Sequence, residues 1–276
     1  HATVDRHIRA LEEAYNVRLF DRKARGVTLT AAGRNLLGKA EDAERTVLNA
    51  KRTVSGMDAK LQGEVRLNIS SWNACYMLAS NMPRFHELYP DIDLKVSVSD
   101  RVEDLAKSPS DVSYRGAWSI DEDVVARKIY NYSAAVLASQ DYIDRNWKNR
   151  GPNGEGLHWI GKSALWPNPR LDYQTLFPAA KGRNDILDPI LINEMMKEGQ
   201  GMAVMPFCSV FLIPGLTVVP GTPVVRDRTV WVLLQSDLRH TARVRAVVEF
   251  LYDMGKAVGK KEKQYLSQAE YVEGWD

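Results

Sequence analysis

Only two cysteines occur in 276 residues, Cys75 and Cys208, far apart and without metal-ligand spacing. Such a chain is not held by a disulfide framework, and lone thiols fit a reducing cytosol. Long apolar runs are also lacking. The longest, from Gly201 to Val219, is broken by Pro206 and Pro214, which excludes a membrane span. No leader-like N-terminus, internal repeat or low-complexity tract is visible. The five histidines include His86, His158 and His240, none at a spacing that binds zinc. No glycine-rich phosphate loop occurs, and no base stands beside Ser71 or Cys75, so the nucleophile–base–orienter set of a hydrolytic enzyme is missing. No cofactor is expected. The net charge is only +2, but it is unevenly spread. Residues 1–62 carry 12 Lys/Arg and 8 Asp/Glu, while the remainder carries 25 and 27. A basic head on a slightly acidic body points to nucleic acid at the N-terminal end.

Residues 3–14 read as a short helix with Val4, Ile8 and Leu11 on one stripe. The chain opens at His1 inside this pattern, so an N-terminal piece is expected to precede it. Val17–Phe20 and Val27–Thr30 flank a basic turn ending at Gly26, which predicts a hairpin. Thr30 suits the N-cap of a long helix in which Leu36, Ala40, Ala43, Val47, Ala50, Val54 and Met57 recur alternately four and three apart. That heptad seam predicts a dimerising helix. Ser55-Gly56 and Gln62-Gly63 mark a hinge. Strands are then expected over Glu64–Ser70, Asp93–Val98, Asp111–Tyr114, Ser133–Ser139, Met202–Met205 and Thr229–Gln235. Helices are expected over Ala74–Leu88, Val102–Lys107, from near Gln140, and over Asp188–Gly199 and Thr241–Val258. The alternation predicts parallel-rich sheets with helices on their faces, in two lobes.

Three ordered segments carry a resemblance. Thr3–Glu13, then Val17-Arg18-Leu19-Phe20-Asp21-Arg22, then Val27-Thr28-Leu29-Thr30-Ala31-Ala32-Gly33 resemble the signature of LysR-type transcriptional regulators. Farther on, Gly63–Leu67, Arg84–Ile92 and Gly199–Pro206 are similar to that family's first sensor strand, its helix-to-strand passage and its second-lobe turn. The resemblance implies a partial winged helix-turn-helix over 1–33, a linker helix over 30–58 and an effector domain over 63–276. The effector domain is implied to be α/β with two lobes, like type 2 periplasmic binding proteins. Lobe 1 is placed at about 63–133 and 236–276, lobe 2 at about 134–235. Two departures stand out. Asp5 occupies a position where the family has a small residue, and the helices that precede the recognition helix are absent before His1.

On this reading Thr3, Arg6, His7 and Arg9 reach base edges of double-stranded promoter DNA, and Arg22, Lys23 and Arg25 meet phosphates or a narrow minor groove. Leu36, Ala40, Ala43, Val47, Ala50 and Val54 join the chain into a homodimer or homotetramer, and RNA polymerase is a further partner the resemblance allows. A small, acidic organic effector is expected between the lobes. It would touch Ser70, Ser71, Trp72, Asn73, Ser99, Ser133, Gly201, Met202 and Pro206, with hydroxyls and the free amides of a helix start favouring negative charge. The bland reading of each serine is capping or turn chemistry, and that of the basic residues a solvated face. Three rival functions remain at this point: a solute-binding protein of the same two-lobed fold, a thiol redox-sensing regulator, and an α/β enzyme.

Overall fold

The computed structural model describes residues 2–23, 26–40, 43, 47, 60–100, 110–120, 124–161, 171 and 176–268. The chain divides into two compact units, His1–Met57 and Asp58–Asp276.

The first unit opens with helix α1 (Ala2–Tyr15) and continues into the hairpin β1 (Phe20–Lys23) and β2 (Gly26–Leu29), paired antiparallel from Phe20↔Leu29 to Lys23↔Gly26. Glu12 holds helix to hairpin: its Oε1 accepts from the backbone N–H of Leu19 at 2.7 Å and of Phe20 at 3.1 Å. The expected N-cap is in place, with Thr30 Oγ1 accepting from Gly33 N at 3.0 Å. Helix α2 follows at residues 31–40. Gly33 has no substitute here, because a Cβ would lie 2.1 Å from the Leu19 carbonyl oxygen. Of the predicted seam, Leu36, Ala40, Ala43 and Val47 are exposed within this single chain. Ala50 and Val54 lie outside the described residues, as do Arg25 and the helix expected over Val102–Lys107.

The second unit is built on a seven-stranded sheet. Its strands are β3 (Gly63–Ile69), β4 (Ile92–Val98), β5 (Val112–Ala117), β6 (Val125–Ser139), and, beyond two strands of a separate small pair, β7 (His158–Ile160) and β8 (Lys181–Asn184), β9 (Ala203–Pro206), β10 (Leu216–Val218) and β11 (Val225–Leu234). The path runs β10-β6-β11-β5-β3-β4, with β9 also on β6. This corrects the parallel-rich expectation. Among the described residues, this sheet's parallel pairs are β3–β4 and β3–β5, and β6 and β11 run antiparallel to every strand they touch. The physical reason is that two long strands traverse the unit side by side. Alternation of strands and helices constrains the pairing of compact β/α units, and it carries no information on strands that pass from one lobe to the other.

Strand β6 also separates two cores. Ala135 and Leu137 pack into the larger one with Val65, Leu67, Tyr114 and Leu251, while Ala134, Val136 and Ala138 pack into the smaller one with Tyr142, Trp159 and Met202. Alternate side chains point to opposite faces, so a strand buried on both faces reads as an unbroken apolar run. The two passages between lobes fall near Ser133 on β6 and at the register shift between Arg226 and Thr229 on β11. Thr229–Leu234 pair with Ala117–Val112 of β5.

Helical segments cover the sheet. After β3 the chain is helical from Ser71 as α3 (Ser71–Asn73), a π-helical turn (Ala74–Leu78) and α4 (Ala79–Leu88). The helix therefore starts three residues earlier than the pattern predicts. Helix α5 (Gln140–Asn146) begins at the expected place, N-capped by Ser139. Helix α6 (Pro189–Lys197) starts on Asp188, whose carboxylate accepts from Leu191 N at 2.7 Å, with Pro189 at its first position. A short α7 (Ser209–Leu212) follows β9. The final helix α8 (Ala242–Gln268) runs ten residues past the predicted end.

Candidate functional site

A cleft opens in the second unit where the strand ends of both lobes meet. It spans about 890 Å³ of atom-free space, part of it open to solvent. Asn68, Ser70, Trp72 and Asn73 come from the end of β3 and the helix after it, and Ser99 and Asp100 follow β4. Arg115 and Gly116 come from β5, Tyr130 and Tyr132 from β6, Arg228 and Val230 from β11, and Pro189, Pro206 and Cys208 from the second lobe.

The polar floor is tied together before any ligand enters. Asn73 Nδ2 donates to Ser70 Oγ at 2.8 Å, and Asn68 Nδ2 to Ser97 Oγ at 3.3 Å. Arg228 Nε donates to Asp227 Oδ1 at 2.8 Å, and Arg228 stands 5.8 Å from the Tyr132 ring centroid. The Asp227 side chain is fully buried. Burial raises the Tyr130 phenol and the Cys208 thiol well above their ordinary values, so both are neutral at pH 7. The formal charges lining the cleft are thus two guanidiniums, Arg115 and Arg228, against one carboxylate, Asp100. The buried Asp227 carboxylate stands behind Arg228 as its counter-ion. Trp72 and Tyr132 also line the cleft, and Arg228 lies 5.8 Å from the Tyr132 ring centroid.

Of the residues expected at an effector site, Ser70, Trp72, Asn73, Ser99 and Pro206 line the cleft. Ser71, Ser133, Gly201 and Met202 do not. Ser71 is turned to the protein: its N–H and its hydroxyl donate to the Asp100 carboxylate at 3.0 and 2.5 Å. The helix start expected to receive a ligand's negative charge already holds an internal one. Ser133 is fully buried and donates its N–H to Glu262. Gly201 and Met202 are buried against β7, where Met202 N donates to His158 O at 2.9 Å and a Cβ on Gly201 would lie 2.7 Å from the same oxygen. Arg115, Arg228, Tyr130 and Tyr132 escaped the sequence reading. They sit on β5 and the crossing strands, and no local motif marks them. Among the described residues no group of three His, Cys, Asp or Glu is placed to hold a metal ion.

In the first unit, Arg6, His7 and Arg9 are exposed on α1. Thr3 lies in α1 and Arg22 and Lys23 in β1 by their backbone.

Two family models match in order along the chain: the bacterial regulatory helix-turn-helix protein of the lysR family over residues 1–34, and the LysR substrate binding domain over residues 58–150. The chain matches the LysR family in both segments. The first match lies within the first unit, and the second begins where the second unit begins, at residue 58. Among curated LysR-like relatives, an HTH-type transcriptional repressor of Pseudomonas aeruginosa is 28% identical over 142 residues, 51% of this chain and 45% of that protein. The match thus spans less than half of that relative. The HTH-type transcriptional regulator DmlR of Escherichia coli is 25% identical over 265 residues, 91% of this chain and 84% of DmlR. Solved structures with this LysR fold include full-length AphB of Vibrio cholerae, at 23% identity, TM-score 0.57, covering 91% of this chain and 89% of that one. CrgA of Neisseria meningitidis has 19% identity and TM-score 0.58, covering 92% and 89%. The two-lobed α/β effector unit preceded by a helix and wing is therefore the LysR architecture.

Proposed function

We propose that this chain is a LysR-family, ligand-responsive, sequence-specific DNA-binding regulator of transcription, working in the cytoplasm as a homodimer or homotetramer, with a small organic acid as its effector. The observation that carries the effector class is the cleft lining, in which Arg115 and Arg228 outnumber Asp100 and the Tyr132 ring stands near Arg228. A guanidinium donates two parallel hydrogen bonds to a carboxylate in a way few other groups can.

The mechanism follows from the two lobes. A ligand held between them binds their closed arrangement better than the open one, and only that difference shifts the equilibrium. The first unit supplies the output. Arg6, His7 and Arg9 on α1, with Thr3, meet base edges, and Arg22, Lys23 and Arg25 around the hairpin tip meet phosphates. Leu36, Ala40, Ala43, Val47, Ala50 and Val54 form the seam between copies, so that effector binding alters the spacing of paired DNA-binding heads. RNA polymerase is the partner through which bound DNA becomes a transcriptional response. Enzymatic chemistry has no place in this reading. The thiol alternative is disfavoured by Cys208, whose burial holds it protonated.

The test is a thermal-shift screen of carboxylic acids on the whole chain. A saturating acid raises the midpoint by mass action. A shift that survives loss of Arg228, or a ligand located outside the cleft, contradicts the assignment.

A further inference from the structure

Glu262 lies 2% exposed on α8, behind the cleft rather than in it. Its Oε1 accepts from the backbone N–H of Ser133 at 2.7 Å. Its Oε2 and the Ser133 hydroxyl are both buried and complete no well-formed hydrogen bond, although the hydroxyl is near enough to favour the ionised carboxyl. A buried, half-satisfied carboxylate is expensive to keep, so its position calls for a reason.

The position is the passage of β6 between the lobes. Ser133 stands opposite Arg226, beside the register shift that interrupts the β6–β11 ladder. Its N–H turns to Glu262, while its carbonyl accepts from Phe207 N at 2.8 Å in the second lobe. One residue thus ties α8 to the chain that joins both lobes. Close approach makes this reach feasible: a Cβ on Gly255 would lie 2.8 Å from Ile129, and one on Gly259 would lie 2.8 Å from Tyr130. Tyr130 and Cys208, which line the cleft, both feel the charge of Glu262.

The groups around Glu262 do not neutralise it. From β6 come Ser133 and the phenol of Tyr130, and from the turn before α7 comes the thiol of Cys208. Lys261, next to Glu262 in sequence, holds its Nζ 4.9 Å from the Phe211 ring of α7. On β11 Arg228 is joined to Asp227 at 2.8 Å, and Arg226, opposite Ser133, is exposed. On α8 itself Lys260, Lys261 and Lys263 are exposed. No lysine or arginine is among the groups that set the affinity of Glu262 for its proton. Burial raises that carboxyl to about 7, and the donation from Ser133 pulls it back only in part.

We propose that Glu262 is a proton-binding switch at the lobe crossing: protonated, it keeps the end of α8 seated on β6; ionised, it draws that end toward water and frees Ser133. Among the described residues no cation is one of the groups that set the proton affinity of Glu262, so hydration is the cheapest relief for its bare carboxylate. Loosening at Ser133 reaches the cleft through Tyr130, Tyr132 and Phe207, which makes the response of the cleft dependent on pH near neutrality. That functional meaning rests on the effector reading above; the proton site itself does not.

The test is hydrogen exchange on the whole chain between about pH 5.5 and 8.5, corrected for the intrinsic pH dependence of amide exchange, for wild type and Glu262→Gln. Wild type should lose protection severalfold in Gly259–Gln268 and around Ser133 as pH rises through neutrality, and Glu262→Gln should stay flat. Infrared titration of the unmutated protein gives a second reading, which decides if the variant fails to fold: a buried protonated carboxyl should vanish with a midpoint near neutrality. Equal exchange profiles in the two proteins, or no carboxyl titrating above the ordinary carboxylate range, would overturn the switch. Binding of an organic acid is measured separately, and its failure would count against the effector reading alone.

Discussion

Ser71 donates both its backbone N–H and its hydroxyl to one carboxylate, that of Asp100, at 3.0 and 2.5 Å. The positive end of the helix is answered from within, and Asp100 brings a negative charge to the cleft rim. Ser71→Ala should therefore leave binding of an organic acid within about twofold and cost about 0.5–1 kcal/mol of stability, the size of a lost cap. Asp100→Asn should strengthen anion binding by a few-fold, as expected for removing one partly screened like charge. Calorimetric titration of both variants checks this. A large loss of affinity in Ser71→Ala would return the hydroxyl to the ligand.

Arg228 has the opposite role. Held on Asp227 and placed near Tyr132, it presents its charge to the cleft from a fixed position. Arg228→Ala should weaken binding of a carboxylate by about 1.5–3 kcal/mol, the usual worth of a hydrogen bond to a charged group. It should also lower the thermal midpoint, since it removes the cation beside a fully buried Asp227 side chain. Arg228→Lys keeps the charge but not the two-pronged donor, so it should recover stability more fully than affinity. Equal affinity in all three proteins would remove Arg228 from the site.

His158 provides a pH dependence in the second lobe. Its Nε2 is 3.2 Å from Arg183, and its backbone N–H donates to Tyr142 Oη at 2.7 Å. Burial lowers its affinity for a proton, and the charges of Arg183 and Lys181 lower it further. The unfolded chain then binds the proton more readily than the native one. Its contribution to stability is present above about pH 6.5, the unfolded value, and is lost as pH falls through the lower native value. Glu262 has the reverse sign: its native value is raised, so its contribution is full at acid pH and is lost as pH rises toward about 7. Urea unfolding of His158→Gln between about pH 5 and 7 should show less loss on the acid side than wild type. An unchanged slope would mean the ring is not held neutral.

Val47 is 55% exposed and Leu36 38% exposed within one chain. If these residues form the seam between copies, Val47→Asp places an unpaired charge in an apolar contact, which costs several kcal/mol unless the helices separate. Light scattering should report smaller particles while far-ultraviolet circular dichroism stays the same. An unchanged mass would assign the stripe to contacts within one chain.

Much of the fold was legible because its signals are local. Thr30 caps a helix as its side chain dictates, Asp188-Pro189 begins one, and the strands over Gly63–Ile69 and Ile92–Val98 follow apolar patterns bounded by polar residues. Strand direction was not local. Val225–Leu234 pairs with residues about 100 positions away on β6, and nothing in its own pattern says which way its partners run. The cleft divides in the same manner. Ser70, Trp72, Asn73, Ser99 and Pro206 were reachable because strand ends carry loops and loops carry function. Arg115 and Arg228 lie within strands, where a lone arginine looks like any solvated residue until the neighbouring strands bring the two to one cleft. Ser133 marked the lobe crossing, but its partner Glu262 lies 129 residues later, on a turn of α8 beyond the helix end that periodicity indicated.

The central claim is that a ligand in the cleft of the second unit changes DNA binding by the first. The direct measurement is fluorescence anisotropy of labelled promoter DNA titrated with the whole chain, at fixed salt because phosphate contacts are salt-sensitive. Each titration is run with and without an organic acid that raises the thermal midpoint, on wild type and Arg228→Ala. The account predicts that the acid shifts the DNA affinity of wild type by about 5-fold or more, the range of an allosteric coupling of 1–3 kcal/mol, and leaves the Arg228→Ala curve in place. An acid that saturates the cleft while wild-type DNA affinity stays unchanged would contradict it.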